Sequence, residues 1–311
     1  MKALLLAAGF GTRLKPLTDH VPKPLTLFMG RPILDLVYGQ VLAAGIEQVA
    51  VNTHHLAQKI ESHIQKSPLY KQPVRISFET EILGTGGSIN PLRPWLDGDD
   101  LLIFNGDIIT SLDLKSFVAR YEESQAIASM VLLPHKDGTT PVYVQKDRIV
   151  SIGEAVAGAT KKTFAGVHIL SNRFIEAVPR SGFLSVIDTY KALLKDHMVL
   201  AFDHDGYWAD LGIPRDYLEA HQNLLDDPGR ATLCKAIGLD TSNWIWEEAK
   251  ANLFVGTEQL PGFEKSFVFG PVEVEAGIHI QNCIVYPGTK LTKLSHEVGK
   301  ILSSHASLTI I

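Results

Sequence analysis

The chain has 311 residues, of which 45% are hydrophobic and 20% are charged, and its formal net charge at pH 7 is -5. This length suits one large domain with an appendage or two domains, and the charge balance argues against nucleic acid or a membrane surface as a main partner. The two cysteines lack metal-type spacing, which predicts a reducing compartment without a disulfide framework or a zinc site.

The first predicted element is a strand at residues 3–8, a short apolar run typical of strands buried on both faces of a parallel sheet. Lys2 before this run imitates the charged start of a secretion signal. The run is too short for one, however, and residues 9–13 make a poor cleavage region. We therefore expect a cytoplasmic protein without a membrane anchor.

Helices and strands alternate after this first strand. The patterns predict a helix over residues 33–44 that ends at Gly45, a strand over 47–52, a helix over 56–64 and strands over 74–78 and 101–104. This order favours an α/β fold of Rossmann-like type, with a mixed, mainly parallel sheet sandwiched by helices. Ligands collect at the carboxyl ends of strands in such sheets, so we expect chemistry at residues 9–13 and 105–107.

The residue pattern changes twice in the second half of the chain. Residues 129–170 are rich in β-branched and aromatic types, which predicts several strands, and a helix is predicted over residues 183–196. Both elements would complete the same domain. We place that domain, which also contains the expected site at residues 9–13 and 105–107, at residues 1–228.

Residues 229–311 are predicted to form a helix or linker followed by a β-rich tail. Apolar residues recur every six positions at Val272, Ile278 and Ile284. This period favours a rudimentary left-handed β-helix, and a pair of alternating strands explains it equally well. In either form, the tail is expected to cap the domain or to support homo-oligomer formation.

The turn after the first strand carries Gly9, Gly11 and Arg13, and Lys23 follows between two prolines. It is not a dinucleotide fingerprint, because Leu14 occupies the third glycine position, and no Walker loop occurs. Glycines let a phosphate approach backbone amides, while arginine supplies a bidentate fork and lysine a point charge. These residues predict a phosphate cradle, and the alternative is a tight turn with solvated cations.

Residues 6–18 read Leu-Ala-Ala-Gly-Phe-Gly-Thr-Arg-Leu-Lys-Pro-Leu-Thr, and Pro-Lys-Pro follows at residues 22–24. This string closely resembles the signature of sugar-1-phosphate nucleotidylyltransferases, also called nucleotide-sugar pyrophosphorylases. Further stretches resemble motifs of this family in the same order, at residues 81–87, 104–107, 164–167 and 207–214. The resemblance covers roughly residues 1–225.

The resemblance implies an enzyme of the nucleotide-diphospho-sugar transferase fold that joins a sugar 1-phosphate to an NTP and releases pyrophosphate. It implies catalytic roles for Arg13 and Lys23, a Mg²⁺ cofactor bound by Asp107 and Asp210, and sugar-phosphate contacts from Glu154 and Gly166. The nucleotide-binding residues that it implies are Leu6, Ala7, Ala8, Gly9, Gly11, Thr12, Glu81, Gly84, Thr85, Gly86 and Asn105.

Several of these residues also have structural explanations. Asp107 could form a turn, and Asp210 could cap a helix entry. His54 and His55 have no convergent third ligand in the sequence, so we expect them to be solvated or packed in a loop. Trp208 is expected to pack beside the site.

One position departs from the family pattern, in which a Glu-Lys pair handles the sugar and its phosphate. Glu154 has the place of the glutamate, but Ala155 follows it. Lys161 or Lys162, expected in an adjacent loop, are the candidates to replace the missing lysine. The choice of sugar therefore stays open.

The nucleobase is expected near Glu79 and Glu81, which precede the second glycine stretch. A carboxylate accepts the adjacent N–H donors of guanine, and it could also accept the imide N–H of uracil. The sequence, including Val-Asn-Thr-His-His-Leu at residues 51–56, is similar to bacterial mannose-1-phosphate guanylyltransferase-like proteins, which favours GTP. The alternatives are UTP with glucose or amino-sugar 1-phosphates, or a non-catalytic regulatory subunit that binds nucleotide sugars.

Overall fold

The computed structural model describes residues 1–226, 230–292 and 295–310. The chain folds into two compact units. The first, which we call the sheet unit, comprises Met1–Gly9 and Val37–Trp208, and the second, the tail unit, comprises Phe10–Leu36 and Ala209–Ile311. The unit boundary after Gly9 cuts through the signature stretch, so residues 10–36 fold with the C-terminal part of the chain. The division at residue 228 stays a prediction.

The elements up to Thr110 include the short strands of both units. The strands are β1 Lys2–Leu6, β2 Leu27–Phe28, β3 Arg31–Pro32, β4 Val49–Thr53, β5 Arg75–Phe78, β6 Leu101–Asn105 and β7 Ile108–Thr110. The helices are α1 Leu17–His20, α2 Ile33–Ala43, α3 Ala57–Lys66, α4 Gly84–Gly87 and α5 Arg93–Leu96.

The later elements begin with the second half of the large sheet. The strands are β8 Ala128–Pro134, β9 Pro141–Gln145, β10 Arg148–Ile152, β11 Thr160–Leu170, β12 Val199–Asp203, β13 Trp208–Asp210, β14 Trp244–Glu247, β15 Asn252–Val255, β16 Phe263–Glu264, β17 Phe267–Phe269, β18 Glu273–Val274, β19 His279–Gln281, β20 Ile284–Val285, β21 Lys290–Leu291, β22 His296–Val298, β23 Lys300–Leu302 and β24 Ser307–Thr309. The helices are α6 Leu114–Glu122, α7 Asn172–Ala177, α8 Val186–Leu193, α9 Pro214–Asp226 and α10 Arg230–Ala236.

The sheet unit is built on a mixed sheet whose strand order, in the described residues, is β5-β4-β1-β6-β11-β8-β12-β10-β9. Strands β5, β4, β1 and β6 are parallel, while β11 runs antiparallel to β6 and β8. Leu4 and Leu5 of β1 are fully buried, as expected for a central parallel strand. The predicted α/β fold with a mixed sheet is confirmed. Besides the four strands of its first half, β8 and β12 also pair in parallel.

The predicted helices differ from the observed ones where other contacts intervene. Helix α2 ends before Gly45, which has the positive φ of a helix C-terminus, as predicted. Helix α8 begins only at Val186, because the preceding backbone pairs with the second glycine stretch. There, the Leu184 amide donates to the Leu83 carbonyl. The Ser185 side chain accepts from the Ile187 amide and so caps the N-terminus of α8.

The tail unit contains a β-helix. In the described residues, short parallel strands stack in the columns β15-β17-β20-β23, β16-β19-β22 and β18-β21. Phe267 pairs with Ile284 and Ile284 with Ile301, so successive partners lie 17 residues apart. Parallel pairing at a fixed spacing is the coil of a β-helix, which confirms that alternative and shows that the alternating-strand alternative is wrong. Its left-handed twist stays a prediction.

No helix among the residues described here is both long and apolar enough to cross a membrane.

Candidate active site

The first glycine turn starts from a fixed point in the sheet unit. Leu6 ends β1, and the Ala7 amide donates to Asn52 Oδ1 at 2.7 Å. Ala7 and Ala8 are buried, whereas a Cβ added at Gly9 would meet no atom within 4 Å. The backbone therefore leaves the sheet in a defined direction and then opens to solvent, as a phosphate-binding turn requires.

The second glycine stretch, α4, packs tightly on another backbone segment. Gly84 has a φ of +77°, and a Cβ there would lie 2.5 Å from the Leu184 carbonyl oxygen. The Gly86 amide donates to that oxygen at 2.9 Å, and Thr85 Oγ1 accepts from the Val186 amide at 3.1 Å. Glycine is needed here for close packing. Nucleotide contacts of Gly84, Thr85 and Gly86 stay predictions.

The two glutamates before this stretch have different environments. Glu79 is 2% exposed, and its carboxylate accepts from Asn52 Nδ2 at 2.8 Å and from the Leu83 amide at 2.9 Å. Since both of its oxygens are engaged inside the protein, the expectation that Glu79 reaches a base edge is wrong. Glu81 is exposed and remains the candidate for that role.

Asn105 and Gly166 are neighbours at the carboxyl end of β6. Strand β11 is irregular between Phe164 and His168, and Gly166 within it has a φ of +80°. A Cβ at Gly166 would lie 2.8 Å from Asn105 Nδ2, so a side chain there would displace the asparagine amide. Asp107 follows in the turn between β6 and β7, which agrees with its structural explanation as a turn former.

The predicted sugar-phosphate residues lie on two elements of the sheet unit. Glu154 is exposed in the turn after β10. Lys161 and Lys162 lie on strand β11 rather than in a loop, so as consecutive strand residues they point to opposite faces. Lys162 Nζ is 3.3 Å from Asp203 Oδ1, which gives this lysine an acidic partner on β12.

Trp208 and His54 pack as expected. The Trp208 indole donates to the Ala165 carbonyl at 2.9 Å, and Lys136 Nζ lies 4.6 Å from its ring centroid. His54 Nδ1 lies 2.8 Å from the Glu79 carbonyl oxygen. The sequence interpretation overlooked Lys136, which belongs to no motif.

In the tail unit, three charged groups meet around Gly212. Asp210 Oδ1 accepts from the Gly212 amide at 2.8 Å. A Cβ added at Gly212 would lie 2.7 Å from Arg13 Nη2, 2.7 Å from Asp210 Oδ1 and 3.2 Å from Lys23 Nζ. No two of these atoms can be farther apart than the sum of their distances to that point, so they lie within about 6 Å of one another. The fold thus gathers three predicted site residues from distant parts of the sequence.

Gly11 brings the signature turn against Lys23. It has a φ of +64° and directly precedes a tight turn that starts at Thr12. A Cβ on Gly11 would lie 2.8 Å from Thr18 Cγ2 and 3.2 Å from Lys23 Cβ. Thr18 Oγ1 donates to the Gly11 carbonyl at 2.8 Å. The glycine therefore allows a contact that fixes the lysine beside the turn.

The hairpin that follows Lys23 is held by α9 and by the β-helix. The Leu27 amide donates to the Tyr286 hydroxyl at 3.0 Å, and the Tyr217 hydroxyl donates to the Leu27 carbonyl. The two hydroxyls lie 2.7 Å apart. Burial raises the pKa of Tyr286 to about 12, so this hydroxyl stays protonated at neutral pH.

A buried histidine completes this support. His221 Nε2 accepts from the Met29 amide at 3.3 Å, and its Nδ1 lies 2.8 Å from the Tyr217 carbonyl. Burial lowers the pKa of His221 to about 4, so the ring is neutral, with its proton on Nδ1. Phe28 and Phe267 pack against it. The tail therefore contributes to the packing of the signature segment.

Asp107 and Asp210 are the predicted ligands of the metal. Within the described ranges, no three His, Cys, Asp or Glu side chains come together as a metal-binding group. Asp210, oriented by the Gly212 amide, and Asp107 offer the hard oxygen donors that Mg²⁺ prefers. Mg²⁺ usually takes only one or two protein carboxylates and completes its shell with phosphate and water, so this donor chemistry fits.

Sequence and structure comparisons relate the chain to known proteins. The profile of a family described as "Nucleotidyl transferase" matches residues 2–227. The chain is 29% identical over 231 residues to the mannose-1-phosphate guanylyltransferase of Mycobacterium tuberculosis, an alignment that covers 72% of this chain and 64% of that protein. The chain thus spans less than two thirds of the length of this relative.

Two solved structures share the fold. A putative glucose-1-phosphate thymidylyltransferase from Bacillus anthracis, in complex with a sucrose, has a TM-score of 0.64 at 19% identity and covers 71% of this chain and 94% of its own. HddC from Yersinia pseudotuberculosis complexed with GMP-PN has a TM-score of 0.58 at 26% identity, with coverages of 71% and 98%. The family match includes Arg13, Lys23, Asp107 and Asp210 and spans most of the sequence. The chain belongs to the nucleotidyl transferase family.

Proposed function

We propose that this protein is a sugar-1-phosphate nucleotidylyltransferase, which joins a sugar 1-phosphate to an NTP and releases pyrophosphate. The observation that carries the proposal is the convergence of Arg13, Lys23 and Asp210 around Gly212. Membership of the family and the match of residues 2–227 support it.

The reaction needs no nucleophile from the protein. An oxygen of the sugar phosphate attacks the α-phosphorus of the NTP, and the bond between that phosphorus and the oxygen bridging to the β-phosphate breaks. Two anions must approach each other, so positioning and electrostatic stabilisation supply the acceleration. Arg13 is suited to hold the departing phosphates with its planar fork, and Lys23 to stabilise charge at the α-phosphate.

Mg²⁺ is the proposed cofactor, with Asp107 and Asp210 as its carboxylate ligands. When bound, it would neutralise phosphate charge and orient the nucleotide. The other proposed nucleotide contacts are those implied by the resemblance, and Glu81 among them is the candidate to contact the base.

GTP with mannose 1-phosphate is the proposed substrate pair. Several relatives bear the name mannose-1-phosphate guanylyltransferase or guanyltransferase, and HddC was solved with GMP-PN. The exposed Glu81 carboxylate could accept both N–H donors on one edge of guanine. UTP with glucose or amino-sugar 1-phosphates is the alternative pair.

A panel of five NTPs against several sugar 1-phosphates, monitored for pyrophosphate, tests this proposal. The highest kcat/KM is expected with GTP and mannose 1-phosphate, and a preference for UTP would change the substrate but keep the reaction class. Tight binding of nucleotide sugars without turnover of any pair would contradict the proposed enzyme and favour a regulatory subunit.

Replacing Lys23 by alanine gives a sharper test of the site. We expect Lys23→Ala to lower kcat by about 10²-fold or more, because a charge that stabilises the transition state is removed. Lys115→Ala, which changes an exposed lysine on α6, is the matched control and should keep the activity. Equal rates for the two variants would remove Lys23 from the mechanism.

A further inference from the structure

Two buried polar side chains connect the two glycine stretches of the sheet unit. The Ala7 amide donates to Asn52 Oδ1 at 2.7 Å, and Asn52 Nδ2 donates to Glu79 Oε1 at 2.8 Å. The Leu83 amide donates to Glu79 Oε2 at 2.9 Å. We call this series of hydrogen bonds the loop clamp. It joins the residue that opens the first glycine stretch to the residue that precedes α4.

The loop clamp begins where the sheet ends. The register of β1 with β4 ends at the pair Leu6 and Asn52, and that of β4 with β5 ends at Thr53 and Phe78. One more backbone hydrogen bond follows the last β4–β5 pair, from the Glu79 amide to the Thr53 carbonyl. The clamp supplies the next bonds to both outgoing segments, and it therefore determines how they leave the sheet.

The clamp residues have little freedom to move. Asn52 is 4% exposed and Glu79 is 2% exposed. The backbone of Glu79 is also held, because its amide donates to the Thr53 carbonyl at 2.8 Å and its carbonyl lies 2.8 Å from His54 Nδ1. The direction of each hydrogen bond is fixed. The backbone amides of Ala7 and Leu83 can only donate, and the carboxylate of Glu79 can only accept, which it does from both Asn52 and Leu83.

We propose that Asn52 and Glu79 are positioning residues that fix the spacing of the two glycine stretches, so that one nucleotide is held at both its phosphate and its base end. This inference rests on the proposed function. Neither residue is proposed to touch the nucleotide. In-line phosphoryl transfer depends on placement, and a displacement of about 1 Å can cost on the order of 10²-fold in rate.

Reversing the hydrogen-bond polarity of the clamp tests this directly. Asn52→Asp places a second carboxylate against Glu79, and Glu79→Gln turns an amide donor toward another donor. In the double variant, the carboxylate introduced at position 52 would accept from the Ala7 amide and from the side-chain amide introduced at position 79. The side-chain carbonyl at position 79 would still accept from the Leu83 amide. The formal charge is then the same as in the original protein, and every bond is replaced.

We expect each single variant to lower kcat/KM for the NTP by 10- to 100-fold, mainly through a higher KM, and to change KM for the sugar 1-phosphate by less than about twofold. The double variant should recover to within a few-fold of the original protein. Ser129→Ala, which removes a buried hydrogen bond from β8 to β12, is the control for stability alone. If Asn52→Asp does not fold, Asn52→Ala serves in its place.

Two results would overturn the proposal that the loop clamp positions the glycine stretches. One is single variants with lower unfolding midpoints but an NTP kcat/KM within about twofold of the original. The other is a double variant that folds and does not recover. If the original protein binds nucleotide without turnover, the proposed function fails, and the same variants test the clamp through nucleotide affinity measured by calorimetry. Absence of both binding and turnover in the original protein overturns both.

Discussion

Because Gly212 is a glycine and has no side chain, two cations and one carboxylate can occupy the small volume beside it. Like charges at such short range repel each other, and Asp210 beside Arg13 and Lys23 offsets part of that repulsion. A triphosphate would do the same more strongly. The cluster is therefore suited to receive an anion.

Gly212→Ala should disrupt this cluster. The new Cβ would lie 2.7 Å from both Arg13 Nη2 and Asp210 Oδ1, closer than van der Waals contact allows, so these groups must move. We expect a 10- to 100-fold loss of kcat/KM with a small change in the unfolding midpoint.

The matched control for that substitution is Gly39→Ala, inside helix α2. A Cβ there would meet no atom within 4 Å, and alanine has the higher helix propensity. This variant should keep full activity and gain up to about 1 kcal/mol of stability. Unchanged activity in Gly212→Ala would show that the cluster does not act on substrate.

Individual residues could be predicted from the sequence only where a motif carried them. Arg13, Lys23 and Asp210 belong to recognisable strings. Glu79 and Glu81 look alike in sequence, and only the fold shows that one is buried and the other exposed. Asn52 lies in the stretch of residues 51–56 that carries the similarity to guanylyltransferase-like proteins, but no role was predicted for it. The one available signal was a polar residue near the end of an apolar strand.

Among the elements, the β-helix shows what a periodic pattern can and cannot predict. A spacing of six residues fits one side of a β-helix coil, and it fits alternating strands equally well. Only the partner with which each strand pairs distinguishes the two structures. That partner lies 17 residues away, as for Phe267 and Ile284, and such distant pairing leaves no local signal. Local signals did predict the end of α2, because a glycine with a positive φ, Gly45, follows it closely in the sequence.

Tyr286→Phe tests how the β-helix supports the hairpin formed by β2 and β3. The substitution removes a hydroxyl that accepts from the Leu27 amide and bonds with Tyr217, and it leaves a half-buried amide without this acceptor. We expect the free energy of unfolding to fall by about 1–3 kcal/mol in urea titrations.

Tyr143→Phe in strand β9 is the control, since no hydrogen bond of its hydroxyl occurs in the described part of the chain. Its stability should change by no more than about 0.5 kcal/mol. If both tyrosine variants are equally stable, the hydroxyl of Tyr286 does not support the hairpin.

For the whole molecule, each compact unit contains a buried neutral histidine. His168 in the sheet unit lies 2.8 Å from the Tyr190 hydroxyl through Nδ1, and burial lowers its pKa to about 3. His221 in the tail unit has its pKa lowered to about 4 for the same reason. Acid should therefore destabilise both units. Division of the chain into units could not be predicted from sequence, because residues 10–36 join partners more than a hundred positions away.

The direction of this change in stability with pH follows from proton binding by the two states. Above pH 6.5 the histidine is neutral in both the folded and the unfolded state. Below pH 6.5 the unfolded chain binds a proton, whereas folded His168 stays neutral down to about pH 3. Between pH 6.5 and 5 each histidine should cost about 2 kcal/mol of stability. His168→Asn keeps a polar partner for Tyr190 without titrating, so urea unfolding at pH 7 and pH 5 should show a smaller loss. An unchanged loss would exclude His168 as a contributor.

Strand β24 has a consequence for assembly. It runs antiparallel along β23 and covers the edge at which the next parallel coil would have to pair. A second copy therefore cannot add a parallel coil directly onto β23. If the protein self-associates through its tail, as the sequence led us to expect, it must use a surface other than this edge of β23.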